Sequence, residues 1–219
     1  MIYSVGIFAF VILCFSLLIV SGKLLYKKRT NVKYSFRNMF PFELNYKADF
    51  KDNLYIHIFV ALFVMASIGF FATFNTTFND GYIIFTIISG ILTAICALLL
   101  FYIPLANLRF HLILDAIFFT LNFACVASVL VTAWRTNQVL VSWASVTSIV
   151  LSILIGLLEF ALIMNPKLNL NFKPIEVVKE NGEKEYLRPK GIVLAFSEWT
   201  LLFLYIFNML NVLILTFAL

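Results

Sequence analysis

Charge is what this sequence has least of. Only 12% of its 219 residues are Asp, Glu, Lys or Arg, where a soluble domain carries about 25%. A water-facing surface cannot be built at that density, and a mean hydropathy of +1.00 points the same way. Glycine is also scarce: eight residues leave little for phosphate-cradling loops, and there is no Walker loop or Gly-rich nucleotide fingerprint. HExxH and GxSxG are missing, so the commonest metalloprotease and serine-hydrolase signatures do not apply. The three cysteines, Cys14, Cys96 and Cys125, stand inside apolar runs without CxxC or metal-ligand spacing. They read as small apolar helix residues, not as a disulfide framework. No Lys or Arg precedes the first apolar run, whereas a secretory signal needs a positive leading region. The positive charge follows that run, at Lys23, Lys27, Lys28 and Arg29, which predicts a retained helix with its N-terminus outside. No internal repeat relates the two halves.

What the sequence has is apolar length. Hydrophobic residues make up 63% of it, and 25 are Phe. A bilayer core of about 30 Å needs ~20 apolar residues as helix. Six stretches qualify: 2–22, 54–74, 82–103, 110–134, 139–164 and 192–219. The last three run long, which predicts tilt or ends reaching past the hydrocarbon. Turns are expected at 75–81, 104–107 and 135–138, and the two long connections are 23–53 and 165–191. The predicted fold is all-α, a six-transmembrane-helix bundle forming one membrane domain.

Orientation follows from the distribution of basic residues, which concentrate in cytoplasmic loops. The first long loop holds Lys23, Lys27, Lys28, Arg29, Lys33, Arg37, Lys47 and Lys51. Arg109 follows the third span, and Lys167, Lys173, Lys179, Lys184, Arg188 and Lys190 occupy the second long loop. Of the 16 Lys and Arg residues only Arg135 falls on the other side. The expectation is a cell-membrane protein with both termini outside and its basic loops in the cytoplasm.

Both long loops have internal pattern. Strand-like runs at 175–180 and 183–188 flank Asn181-Gly182, a strong hairpin signal because both turn positions need positive φ. This predicts a small cytoplasmic β-hairpin, packed on the first loop, a helix end or a partner. The first loop mixes Tyr34, Phe36, Met39, Phe40, Phe42 and Tyr46 with its cations. It reads as an interfacial segment on the inner leaflet, with aromatics dipping in and cations near anionic headgroups. Lys27, Lys28, Arg29, Arg37, Phe40 and Phe42 are the expected lipid or partner contacts. Nucleic acid does not fit beside a membrane. Asn75-Thr76-Thr77 matches a glycosylation sequon, a triplet common by chance.

An ionisable residue within a membrane span is costly and marks a candidate functional site. The spans hold five, His57, His111, Asp115, Glu159 and Glu198, all placed in the cytoplasmic half by counting from the span ends. His111 and Asp115 are an i, i+4 pair on one helix face, followed on nearly the same face by Asn122 and Cys125. This stripe can line a cavity or simply join helices. Ser145, Ser148, Ser152, Gly156 and Glu159 form a second stripe, read as close helix packing or as a small-polar path to Glu159. Gly90, Ala94 and Ala97 look like a packing device alone. Asn208 and Asn211 read as interhelical hydrogen-bond glue. Three acids face two His and no Lys or Arg within the spans, so they must be protonated, paired or balanced by a cation.

Three functions fit these residues. The first is a transport or permeation protein, or the membrane subunit of one, with a cytoplasm-facing acidic cavity built on His111, Asp115, Glu159 and Glu198. The second is a non-catalytic anchor or assembly subunit that binds partners through its basic loops. The third is an intramembrane enzyme acting on lipid. No cofactor and no metal ligand set is indicated. The implied partners are the bilayer, anionic inner-leaflet lipids and a membrane or cytoplasmic protein.

Overall fold

The computed structural model describes residues 2–45, 53–74, 81–103, 108–166, 168, 175–178, 184–187 and 189–219. Six helices are long and apolar enough to cross a membrane: α1 (Ile2–Thr30), α2 (Leu54–Ala72), α3 (Gly81–Leu100), α4 (Leu108–Val139), α5 (Trp143–Ile163) and α6 (Val193–Leu215). The architecture is that of a multi-pass membrane protein. The sequon at 75–77, the turn residues at 75–80 and 104–107, and the Asn181-Gly182 turn lie outside the described residues. So do Tyr46, Lys47, Lys51, Lys167, Lys173, Lys179 and Arg188, and the side chain of Arg109.

Consecutive helices pack side by side from α1 through α6, and α6 also touches α1 and α4. α6 is the central helix. Two-thirds of its most apolar stretch (67%) is buried, against 22% for α5. Its polar residues Glu198, Asn208 and Asn211 are buried there, away from the hydrocarbon. Tyr205 extends its contacts: the ring stacks on Phe71 of α2, and the hydroxyl donates to the Gly90 carbonyl of α3 at 3.3 Å. α5 lies outermost and turns Leu154, Leu157, Leu158 and Phe160 away from the protein, as lipid contact requires.

Two helix ends depart from the expected bounds. α1 runs past residue 22 to Thr30, because Lys27, Lys28 and Arg29 in its last turn suit the negative end of the helix dipole. Asn31 stops it in a left-handed conformation (φ 56°), returning its N–H to Lys27 O at 2.9 Å. The expected turn at 135–138 is helix instead, since nothing in Arg135-Thr136-Asn137-Gln138 interrupts the ladder. The break comes at 140–142. There Ser142 caps α5 reciprocally with Ser145, its Oγ accepting from Ser145 N and its N–H donating to Ser145 Oγ.

Residues 31–45, between α1 and α2, turn most of their aromatics toward the protein. Tyr34, Met39, Phe40 and Leu44 are buried in the protein, Phe40 completely. Trp199 of α6 anchors them, donating from Nε1 to Met39 O at 2.9 Å and reaching Tyr34 Oη at 3.1 Å. The Phe36 ring packs on Trp199 at 4.7 Å. A 3₁₀ turn over Pro41–Asn45 follows, and the Glu43 carboxylate accepts the Phe40 N–H at 2.7 Å. Leu44 fits against Gly22, where a Cβ would sit 2.9 Å from its Cδ2. The aromatics go inward because the extended α1 and the start of α6 offer them a protein groove. Among the expected contact residues, Phe40 is therefore inaccessible and Phe42 half-buried, while Lys27, Lys28 and Arg37 are exposed. Arg29 is half-buried and donates to Leu44 O and, at 2.6 Å, to Asn53 Oδ1.

In the second long connection Ile175–Val178 and Lys184–Leu187 pair antiparallel, Ile175 opposite Leu187. The two connections are tied together: Ile192 N donates to Arg37 O at 2.8 Å, and Asn38 Nδ2 donates to Pro189 O at 3.1 Å.

Gly90 is a point of close approach. A Cβ there would lie 2.4 Å from the Phe71 ring. Gly90→Ala is expected to cost about 1–2 kcal/mol through overpacking, read as a lower unfolding midpoint in detergent. Gly156 differs from its expected role as a close-packing residue, since its nearest neighbour to an added Cβ is Phe123 at 3.9 Å. Gly156→Ala should leave the midpoint unchanged or raise it, because alanine is the better helix former.

Candidate functional site

The site is built where α4 and α6 come together at the basic end of the bundle. His111 sits in the first turn of α4 and Asp115 one turn further; Glu198 faces them from α6. His111 is fully buried, with Nε2 3.0 Å from Glu198 Oε1 and 3.8 Å from Asp115 Oδ2. Its Nδ1 lies 2.9 Å from Ile103 O. A carbonyl only accepts, so Nδ1 carries a proton and Nε2 is the nitrogen turned to the carboxylates. The rings of Phe40 and Phe42 meet the imidazole edge-on at 6.0 and 5.7 Å, so the plug formed by 31–45 closes the site from below. Glu43, on that plug, lies within electrostatic reach of Glu198.

A cavity of about 270 Å³ borders the cluster, with Asp115, Glu198 and Ser197 as its polar lining and Phe119, Ile163 and Leu201 among its apolar walls. It exists because α5 is short at this end. Asn122 of α4 donates from Nδ2 to Glu159 of α5, which sets the two helices in register. From that contact α5 continues for roughly one turn, to Ile163, while α4 continues for about four, to Leu108. Above this level α5 packs beside α4 and α6; below it the space next to the two helices stays open. Both Asp115 oxygens, Glu198 Oε2 and Ser197 Oγ are buried there without a hydrogen-bond partner of good geometry among the described residues, and the Asp115 and Glu198 carboxyls face each other.

A second polar layer lies roughly 10 Å higher, the rise of α4 from Asp115 to Asn122. It contains the Asn122–Glu159 pair; the Asn211 Nδ2 to Ser152 Oγ bond of 2.7 Å lies about another 10 Å along α5, seven residues from Glu159. Ser148 and Asn208 are fully buried in the same helices, and neither makes a side-chain hydrogen bond among the described residues. Glu159 thus stands beside the middle of α4, deeper than counting from the end of its own span implies. Ser145 belongs elsewhere: it caps α5 and donates to Asn137 Oδ1 at 2.9 Å. Ala94 and Ala97 are fully buried on α3. His57 is apart from the cluster, stacked on Tyr102 with Nδ1 2.8 Å from its hydroxyl.

Sequence reading missed Glu43, Ser197 and the Ile103 carbonyl. Glu43 left a signal, a lone acid in Phe40-Pro41-Phe42-Glu43-Leu44 spaced three residues from the N–H it accepts. Glu198 was singled out, but its pairing with His111, 87 residues away, leaves no local trace. The cluster can hold a proton or a cation between an imidazole nitrogen and carboxylate oxygens. The chain matches no protein-family model, no curated protein and no solved structure, so its function rests on the chemistry of this cluster.

Proposed function

We propose that this chain is a membrane transport or permeation protein, alone or as the membrane subunit of a transport complex, whose acidic cavity beneath α5 handles a cation or proton from the cytoplasmic side. The carrying observation is the buried His111–Asp115–Glu198 cluster bordering a cavity with its carboxylate oxygens unsatisfied. Ionisable groups held inside a membrane bundle are costly and are retained mainly where they work. Apolar walls strengthen the field of the acids at the head of the cavity, since a low-dielectric lining does not screen them. The cytoplasmic orientation rests on the basic residues, which gather at this end.

The test is flux in proteoliposomes loaded with pH- and cation-sensitive dyes. Asp115→Asn and Glu198→Gln are each expected to reduce flux at least tenfold while the protein stays monodisperse, about 1.4 kcal/mol or more on the barrier. Unchanged flux in both variants sinks the reading.

A second reading, an anchor or assembly subunit, is favoured by the exposed Lys27, Lys28 and Arg37 on the plug and the end of α1. These suit anionic lipid headgroups or an acidic protein surface. It calls for stable co-purifying proteins in mild detergent, lost when the three are replaced by Ser.

A further inference from the structure

We infer that His111, Asp115 and Glu198 form a binding site for a divalent first-row transition-metal ion. This deepens the transport reading by naming the class of cargo, and it rests on that reading only for the word cargo. The donor set is the first ground. One imidazole nitrogen with two carboxylates suits Mn²⁺, Fe²⁺, Co²⁺ or Zn²⁺, whereas Ca²⁺ and Mg²⁺ take oxygen ligands.

Geometry is the second ground. The three ligand atoms lie within 4.8 Å of one another. A tetrahedral ion with bonds of about 2.0–2.2 Å separates its ligands by roughly 3.4 Å. The observed 3.0 Å from His111 Nε2 to Glu198 and 3.8 Å to Asp115 bracket that value, and the carboxylates close on the ion by side-chain rotation. The Nδ1–H donated to Ile103 O at 2.9 Å is the outer contact that a metal-binding imidazole ordinarily makes, and it turns the Nε2 lone pair to the ion.

The third ground is the hydrogen bonding of the buried oxygens, including that of Ser197 outside the cluster. Glu198 is 2% exposed and Ser197 5%, both line the cavity, and Glu198 Oε2 and Ser197 Oγ find no hydrogen-bond partner of good geometry among the described residues. Buried oxygens in that state are costly. An ion, with water on its remaining positions, satisfies them. Two carboxylates and a neutral imidazole also cancel a double charge, which a low-dielectric site requires. Three protein ligands are one fewer than a closed tetrahedral site uses, the ligand number of a site that exchanges its ligand.

The experiment is titration of the purified full chain in detergent with Co²⁺ and Zn²⁺, by calorimetry and by the visible spectrum of bound Co²⁺. One ion per chain is expected, with one nitrogen ligand by X-ray absorption. Glu198→Gln and Asp115→Asn should weaken binding by roughly 100-fold or more, and His57→Gln should leave it unchanged. No saturable binding to the wild-type chain, or binding that survives both substitutions, overturns the inference. Absent metal binding with flux still lost in the two variants leaves the transport reading standing and removes the metal. Binding lost in the variants without any cation flux in wild-type vesicles keeps the metal site and removes transport.

Discussion

Replacing Trp199 by alanine is expected to lower stability by about 3–5 kcal/mol, the usual cost of removing a buried aromatic, and to free the 31–45 segment from the bundle. Trp199 is 1% exposed, and its indole N–H is held by Met39 O and Tyr34 Oη. Phe36, Phe101 and Phe203 surround its ring. Removing it opens a void and takes the indole donor from the Met39 carbonyl, which keeps only the longer contact from the Tyr34 hydroxyl at 3.3 Å. Trp199→Phe keeps most of the volume and should lose only about 0.5–1.5 kcal/mol, for the missing indole hydrogen bond. The checks are an unfolding midpoint in detergent and limited trypsin cleavage after Lys33 and Arg37. Faster cleavage in Trp199→Ala but not in Trp199→Phe is expected. Equal cleavage in all three proteins would mean that Trp199 does not hold the segment. Because Phe40 packs on His111, the same variant should also disturb the cavity site.

The second large effect concerns the Asn122–Glu159 contact in the middle of the bundle. Asn122→Leu takes away the donor that Glu159 Oε1 accepts from, and both residues are fully buried. The expected loss is roughly 1.5–3 kcal/mol, the range for bonds to a chargeable partner and above the ~0.6 kcal/mol average for interhelical bonds in a membrane protein. The double variant Asn122→Leu, Glu159→Leu should recover most of it, because a buried polar pair replaced by apolar residues of similar size is often neutral. Measuring flux on the same proteins separates the two roles of Glu159. A stable double variant with normal flux marks the pair as helix glue; a stable but silent one places Glu159 on the permeation path.

Much of the architecture is legible in the residues. Apolar runs of about 20 residues in a chain with 12% charge can satisfy their backbone groups in lipid only as helices, so span number is a local property. Ends were less legible. α1 outlasts its apolar run because a helix continues through Lys and Arg as readily as through Leu, and nothing stops it before Asn31. The packing of the aromatics in 31–45 was less legible for a related reason. Amphipathic composition is the same whether a segment lies on a leaflet or plugs a bundle; only the groove beside Trp199 distinguishes them.

The sequence by itself determined the helices and the short list of ionisable groups set among apolar neighbours. Each follows from the local cost of placing charge or bare backbone in hydrocarbon. Only the tertiary structure decided which of those groups meet. The 31–45 plug brings Glu43 near the site, the Asn122–Glu159 contact sets the level of α5, and the short end of α5 leaves the cavity where His111, Asp115 and Glu198 converge. Helix register is a sum of packing contacts spread along the whole length of each pair, and no single stretch of residues encodes it.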